Sequence, residues 1–545
     1  MIGFYDGQNY FQYNSIDEFF KKVLSRRYRG FKIFGHYAGK YDDLFLLDHA
    51  GKLGDKFNYS TICQGSKILS LKFKRGKNSW SFVDSSGLFP NMSLDKLTKS
   101  FDVKNKKMTG TIDFKTERVD KNNSLHQEYL KNDVMGLYQV IQKFLENEKI
   151  AEEGFNLTIA SQAMGMWRRT LKKSIKVTPQ GIQDFIRGSY FGGRTEIYKM
   201  RGAKLNYYDV NSLYPFVMRT MRLPLQHECY TRELTDALSF LDVDVKVPDT
   251  YIPILPVKSD GKLIFPSGTF RGVFYSEELK LALSQGAKIL KVYRGEQFTD
   301  AHDLFSEYID YFYAQKENAE KGSARELIAK LLLNSLYGKY GQREEREILK
   351  QHESETDFTP FHSHEVFDIT RLIQVTKYIR APSMLVHIAA AITAGARITM
   401  ANKAFIKFPE HCFYTDTDSI FTTKELETGT KMGEFKLEHS KLNGIFKQPK
   451  AYYLENSSGF KEIKIKGFSK DFTKNISKKD FNAGNFNETK IIPCTLKTSL
   501  IRNKCYLSKV EVTKEMRSEY TKRRILKNHD TEAWVIKNGV ILNSR

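Results

Sequence analysis

At 545 residues, with 41% hydrophobic and 28% charged side chains, the chain is too long for one compact core and too apolar for wholesale disorder or a fibrous repeat. Lysine plus arginine exceeds aspartate plus glutamate by 86 − 64 = 22. The average surface therefore attracts a polyanion, nucleic acid first, although a merely solvated basic surface would give the same count.

The length predicts three or four domains. Residues 1 to about 150 alternate apolar runs with helical stretches, among them Phe31-Lys-Ile-Phe34, Asp42-Asp43-Leu-Phe-Leu-Leu47 and Glu128 to Glu146, which predicts an α/β unit. Residues 155 to 190 read as basic helices ending at Gly188-Ser-Tyr-Phe-Gly-Gly-Arg194, whose paired glycines suit a tight turn between domains. Beyond it, the pattern predicts a strand at Leu205–Tyr208, a helix at Leu327–Leu336, an Ala-rich helix at Ala389–Ala404 and a hairpin at Cys412–Thr422. Five cysteines, Cys63, Cys229, Cys412, Cys494 and Cys505, show neither C-x-x-C pairs nor zinc spacing, which argues for a reducing compartment such as a bacterial host cytoplasm. The start has no signal-peptide pattern, and the most apolar stretch, Ser383 to Ile398, contains His387 and Arg397. No secretion or membrane span is expected.

Three segments carry chemistry. In Phe413-Tyr-Thr-Asp-Thr-Asp-Ser-Ile-Phe421, strand formers flank Asp416 and Asp418, two like charges that hard divalent cations neutralise well. Alone, the same tripeptide is equally suited to an Asx-type turn. A further carboxylate, Asp209, ends an apolar strand in Leu205-Asn-Tyr-Tyr-Asp-Val-Asn-Ser-Leu-Tyr-Pro215, where a strand-end cap is the plain alternative. Paired metal ions about 3.5 to 4 Å apart need carboxylates from separate strands, and Asp209 with Asp418 supplies that bridge. Lys330, Asn334 and Tyr337 in Lys330-Leu-Leu-Leu-Asn-Ser-Leu-Tyr-Gly338 share one helix face, suited to a triphosphate, a sugar and a base. Without the other segments, a solvated stripe beside a core tyrosine explains them as well.

Taken in order, D-x-x-S-L-Y-P, K-x-x-x-N-S-x-Y-G and Y-x-D-T-D-S resemble motifs A, B and C of family B DNA polymerases. Tyr190-Phe-Gly-Gly193 and Lys450-Ala-Tyr452 resemble the Y-x-G-G and K-x-Y motifs of the protein-primed branch known from small bacteriophages and linear plasmids. The resemblance implies a DNA-directed DNA polymerase that adds dNTPs to a primer terminus on a DNA template, as a monomer, with two Mg²⁺ ions for which Mn²⁺ can substitute. It also implies a terminal protein as primer and strand-displacing replication of a linear phage or plasmid genome. It assigns Asp209, Asp416, Asp418 and Lys330 to catalysis, with metal ligation by Asp209, Asp416, Asp418 and the Val210 carbonyl. Nucleotide contacts fall to Ser212, Leu213, Tyr214, Lys330, Asn334 and Tyr337. DNA contacts fall to Tyr190, Gly192, Gly193, Lys450 and Tyr452, and Lys316 and Arg325 are candidates for further phosphate contacts. Two rivals stand beside this reading: a reverse transcriptase, whose motif C reads Y-x-D-D, and a catalytically idle nucleic-acid-binding replication protein.

The family's 3′–5′ exonuclease uses four acids in three motifs. Gly35-His-Tyr-Ala-Gly-Lys-Tyr-Asp42 resembles the second motif, with Tyr37 where Asn is usual, and Tyr129-Leu-Lys-Asn-Asp133 matches the third. No D-x-E precedes Phe31, so an exonuclease remnant of Asp42, Tyr129 and Asp133 with impaired proofreading is expected; Lys107 is the candidate for the family's lysine. The implied fold is α/β plus α+β: a ribonuclease-H-like exonuclease domain at 1–155 lacking its first motif, and a linker at 156–200. Palm follows at 201–246 and 386–448, insertions at 247–306 and 342–385, fingers at 307–341, and the K-x-Y motif with the thumb at 449–545.

Overall fold

In the computed structural model the described residues are 1–64, 67–108, 110, 112, 119–172, 175–342, 345–351, 363–367, 372–378, 384–484, 486–493, 509–516, 519–537 and 539–542. The chain opens with β1 (Ile2–Tyr5), β2 (Tyr10–Tyr13), α1 (Ile16–Val23), β3 (Lys32–Gly35), α2 (Asp42–Lys52), β4 (Asn58–Gln64), β5 (Lys67–Arg75), β6 (Asn78–Asp84), α3 (Leu94–Ser100) and α4 (Ser124–Leu145). Helix α1 shows how sequence fixes these elements. Ser15 caps it by accepting from the Glu18 amide, acids open it, lysines close it, and Phe19, Phe20 and Val23 face inward. Strands β4, β5 and β6 pair antiparallel, while β3 lies parallel to β6. Phe20, Phe57, Phe73 and Trp80 pack edge to face beneath this sheet.

Helices α5 (Glu148–Glu153), α6 (Ile159–Thr170) and α7 (Gln180–Arg187) lead into the second half. There follow β7 (Thr195–Ile197), β8 (Arg201–Val210), α8 (Leu213–Thr220), β9 (Leu223–Thr231), β10 (Leu238–Val247), β11 (Val257–Ser259), β12 (Lys262–Ile264), β13 (Ser267–Tyr275), α9 (Ser276–Ser284) and β14 (Lys288–Ala301). Next come α10 (Ser306–Glu317), α11 (Ala324–Tyr340), β15 (Glu345–Gln351), β16 (Ser363–Phe367), β17 (Leu372–Tyr378) and α12 (Val386–Met400). The remaining elements used below are β18 (Cys412–Asp416), β19 (Ser419–Thr422), β20 (Phe435–Gln448), β21 (Ala451–Glu455), β22 (Lys461–Ile465), β23 (Asn487–Pro493), β24 (Lys509–Glu515), β25 (Arg524–Ile525), β26 (Thr531–Glu532), β27 (Val535–Lys537) and β28 (Val540–Leu542).

One seven-stranded sheet, in the order β22-β21-β20-β8-β19-β18-β7, carries the candidate site. A six-stranded sheet runs β28-β27-β13-β10-β14-β9, so strands on both sides of residue 247 share it. The third large sheet runs β16-β17-β15-β4-β5-β6-β3, and β15 joins the amino-terminal unit through the pairing of Lys350 with Ser60. One apolar core extends from Phe89, Phe101 and Phe144 through Trp167 to Leu332, Leu336, Ala390 and Phe435, binding the two halves of the chain. Trp167 lies between Phe305 and Tyr340, each ring centroid 5.2 Å away, and donates to the Leu304 carbonyl at 2.9 Å. The most apolar helix, α12, is buried around its circumference rather than along one stripe. Among the described residues no helix is long and apolar enough to cross a membrane.

Candidate active site

Strand pairing brings the carboxylates together. Ser419 stands opposite Asp209 across β19 and β8, and Asp416 stands opposite Thr195 across β18 and β7. The Val210 amide donates to the Asp418 carbonyl at 2.8 Å, so the segment ending β8 is tied directly to the β18–β19 turn. That turn is tight: the Asp418 amide bonds the Asp416 carbonyl at 2.9 Å, and Thr417 takes φ 68°, a left-handed conformation rare for a β-branched residue. Simple strand alternation would aim both acids the same way. Instead Thr417 reverses the chain between them, and the two side chains meet different surroundings.

Burial, then the charges of Asp418 and Glu438, pushes the Asp209 carboxyl up to about 7, against the pull of Lys436 and Lys330. Burial, reinforced by Asp416, also raises Asp418, with Lys450 opposing. Two partly buried carboxylates, each raised by burial and by a neighbouring acid, are short of positive charge, and their oxygens suit a hard divalent cation. Among the described residues no three His, Cys, Asp or Glu side chains gather into a ready metal cage. A cation here would therefore draw on Asp209, Asp418, the second carboxylate oxygen of Asp416, the Val210 carbonyl and non-protein oxygens, the kind of mixed set Mg²⁺ accepts. Asp416 is placed differently: its Oδ1 accepts from Thr195 Oγ1 at 3.2 Å and lies 3.2 Å from Lys450 Nζ.

Helix α11 faces this edge. Ser323 caps it by accepting from the Glu326 amide, and Leu332, Leu333, Leu336 and Tyr340 bury the opposite side. Lys330 and Asn334 are exposed, and Lys330 lies within the field of Asp209. Tyr337 stacks on Tyr214 of α8 at 4.1 Å with planes 12° apart. Ser212, at φ 52°, turns the chain from β8 into α8, and Lys316 of α10 donates to its hydroxyl at 3.3 Å. Leu213 is buried as the first residue of α8. Arg325 is engaged with Gln315 at 2.5 Å.

The glycine linker meets the same turn. A Cβ on Gly193 would lie 2.6 Å from the Thr417 side chain, and the Thr417 amide donates to the Arg194 carbonyl at 2.7 Å. Gly192 has open space where a Cβ would stand. Tyr190 packs its ring against Gly341 at the end of α11. Arg397 of α12 donates to the Phe191 and Gly192 carbonyls at 2.9 and 3.0 Å while bonding Glu278 through both oxygens. Lys450, at φ 63°, donates its amide to the Tyr414 hydroxyl at 2.8 Å. Tyr452 is 3% exposed and packs among Tyr414, Phe421 and Phe446, a core position rather than a groove wall.

Sequence reasoning passed over Thr195, Glu438 and Arg397 as parts of the site. Arg397 left a signal, an arginine inside an apolar helix. Glu438 and Thr195 left none, because each depends on strand register.

In the amino-terminal unit, Lys107 Nζ lies 2.5 Å from Asp133 and 4.5 Å from the Tyr129 ring centre. Burial raises the Asp133 carboxyl, opposed by Lys107. Asp42 opens α2 and is raised by burial and by Asp84. Asp84, an acid without a family motif, is fully buried and accepts from the Gly39 amide, the Ser86 amide and the Ser86 hydroxyl. Tyr37 takes φ 58°, a conformation that Asn tolerates better than a bulky residue does.

A solved structure of Phi29 DNA polymerase complexed with primer-template DNA and incoming nucleotides matches with a TM-score of 0.76, covering 93% of this chain and 94% of that one at 19% identity. The multidomain fold of that polymerase is thereby shown for this chain. Residues 108–407 match the family model described as DNA polymerase type B, organellar and viral, and the chain belongs to that family. Similar relatives include a probable DNA polymerase of Neurospora intermedia, 29% identical over 83% of this chain and 54% of that protein, and one of Podospora anserina, 28% identical over 79% and 46%. The chain thus spans about half the length of these curated relatives. The DNA-directed DNA polymerase of Enterobacteria phage PRD1 is 28% identical over 77% of this chain and 72% of that protein.

Proposed function

We propose that the chain is a DNA-directed DNA polymerase that transfers a nucleotidyl group from a dNTP to a primer terminus. The observation that carries the reading is the meeting of Asp209, near the end of β8, with Asp418 in the adjoining β18–β19 turn, beneath the Lys330, Asn334 and Tyr337 face of α11. Bound divalent cations, Mg²⁺ or Mn²⁺, would be held by Asp209, Asp418, Asp416 and the Val210 carbonyl, and would supply Lewis-acid stabilisation of the charge that develops on phosphate oxygens. Lys330 meets the triphosphate as a point charge. The Ser212 and Leu213 amides open α8 toward the phosphates, where a helix N-terminus favours an anion. Tyr214, held flat by Tyr337, presents a wall to the sugar; Asn334 lines the nascent base pair. Gly192, Gly193 and Tyr190 on one side and Lys450 on the other border the path of the DNA. Most of the rate comes from positioning and electrostatic stabilisation, since the protein forms no covalent bond to the substrate.

Protein priming is the further reading: Tyr190-Phe-Gly-Gly193 and Lys450-Ala-Tyr452 support it, with a terminal-protein hydroxyl in place of the primer 3′-hydroxyl. With Asp42 and Asp133 as its family acids, the amino-terminal unit is expected to hydrolyse single-stranded DNA weakly. Rapid degradation that Asp133→Ala abolishes would overturn that expectation. The polymerase reading is tested by primer extension with wild type and with Asp209→Asn combined with Asp418→Asn. Extension by the wild type on DNA templates, lost by about 10³-fold or more in the variant, is the expected result. Equal extension by both would refute the assignment, and no extension by either would favour an idle DNA-binding protein. Preference for RNA templates would favour a reverse transcriptase.

A further inference from the structure

The three acids of the site are not equivalent. Asp418 presses its charge on Asp209 and Asp416 on Asp418, whereas Asp416 itself faces two donors. Its Oδ1 accepts from Thr195 Oγ1 at 3.2 Å and lies 3.2 Å from Lys450 Nζ. Hydrogen bonds to an ionised carboxylate are the strong kind, and two together restrict a short side chain to one rotamer.

Thr195 is itself held from far along the chain. Lys522 Nζ donates to the Thr195 carbonyl at 3.0 Å. Lys522 belongs to a segment, residues 520 to 531, laid along β7. The Ile197 amide donates to the Tyr520 hydroxyl at 2.9 Å, the Thr531 amide donates to the Tyr198 carbonyl at 2.9 Å, and the Met200 amide donates to the His529 carbonyl at 3.0 Å. Beneath the segment, Arg523 is 1% exposed, donates to the Tyr251 carbonyl at 2.7 Å and lies over the Tyr198 and Tyr251 rings. Strand β7 therefore touches two points of the turn. Its Thr195 hydroxyl holds the Asp416 carboxylate, and the Arg194 carbonyl just before it holds the Thr417 amide at 2.7 Å.

We propose that Thr195, backed by Lys522, is a positioning residue that fixes the Asp416 carboxylate, so that the carboxy-terminal segment helps set the cation affinity of the site. This rests on the polymerase reading. Thr195 touches no reacting atom in it; it acts by keeping one carboxylate oxygen engaged and the other oriented. Groups that orient a metal-binding carboxylate matter nearly as much as the ligands themselves.

The test uses the full chain with Thr195→Val, which keeps shape and strand propensity and removes the hydroxyl, with Thr195→Ser as the rescue. Expected for Thr195→Val are a kcat for primer extension lower by about tenfold, a dNTP KM within about twofold of wild type, and Mn²⁺ binding to the DNA-free protein weakened by about tenfold. The Mn²⁺ measurement is the electron paramagnetic resonance signal of the unbound ion. Thr195→Ser should restore both quantities, and Lys522→Met should shift both in the same direction as Thr195→Val, with Lys522→Arg restoring them. If Thr195→Val lowers the melting temperature by several degrees, the Lys522 pair carries the same test. Kinetics and Mn²⁺ binding within about twofold of wild type in both Thr195→Val and Lys522→Met, while the wild type extends primers, would overturn the proposal. A wild type that extends no primer on any template counts instead against the polymerase reading, and Mn²⁺ binding still decides whether Thr195 orients Asp416.

Discussion

Asp209, Asp416 and Asp418 lie at the ends of neighbouring strands of one sheet, yet their neighbours divide the labour: Asp209 and Asp418 are raised by burial and a nearby acid, and Asp416 is tethered. A buried imidazole, His387, shows what burial does to a titratable side chain. It is fully buried in α12, bonds the Leu225 carbonyl at 3.2 Å and lies against the Phe298 ring. Burial drags its imidazole down to about 4 from the ordinary value of 6.5. The folded state thus refuses a proton that the unfolded chain accepts below pH 6.5. Its stabilising effect is whole above pH 6.5 and is lost as pH falls toward 4. Between pH 7.5 and 4.5 the wild type is expected to lose about 3 kcal/mol more stability than His387→Gln. Urea unfolding of both proteins at the two pH values measures that difference, and parallel losses would discount the effect.

At the level of elements, the site is a set of turns clamped by neighbours. The β18–β19 turn carries a threonine in a left-handed conformation, held by the Arg194 carbonyl and closed over by Gly193. A side chain at 193 must displace Thr417, and with it Asp418. Gly193→Val is expected to reduce primer extension by tenfold or more, whereas Gly181→Ala, in α7 with nothing within 4 Å of its Cβ, should leave it near wild type. Steady-state kinetics on both variants compares them directly. In the amino-terminal unit, Gly39 is placed more severely: its Cβ would stand 1.7 Å from the Ile68 carbonyl oxygen, which no side-chain motion relieves. Gly39→Ala should therefore lower the melting temperature by several degrees, consistent with about 2 kcal/mol or more of overpacking. An unchanged melting curve would show that β5 yields easily.

Over the whole molecule, the shared core and the net charge govern behaviour. Phe89, Phe101 and Phe144 of the first half belong to the same apolar body as Trp167, Leu332 and Phe435 of the second. Because that body crosses the linker, thermal unfolding is expected as one principal transition, and two well-separated calorimetric peaks would contradict it. The excess of 22 positive charges predicts strongly salt-dependent DNA binding. Affinity for primer-template should fall by roughly a thousandfold or more between 50 and 200 mM salt, if six or more phosphates are contacted. Fluorescence anisotropy across that range measures the slope.

Local chemistry made much of this legible in advance. The Asp-Thr-Asp hairpin, the strand ending at Asp209 and the helix bearing Lys330, Asn334 and Tyr337 all lie where the 2.0 and 3.6 periodicities put them. Their residue types matched motifs whose order in the chain pointed to the family. What periodicity cannot carry is register and long-range contact. That Thr195 stands opposite Asp416, that Lys522 reaches the Thr195 carbonyl across more than three hundred residues, and that β15 joins the sheet of β4 are outcomes of which strands pair. Likewise, a tyrosine in Lys450-Ala-Tyr452 reads the same whether it lines a groove or, as Tyr452 does, fills a core. The sequence determined which chemical groups the site holds, because those are local. Only the tertiary structure decided which carboxylates are raised and which one is held, because burial and hydrogen-bond partners exist only once distant strands have met.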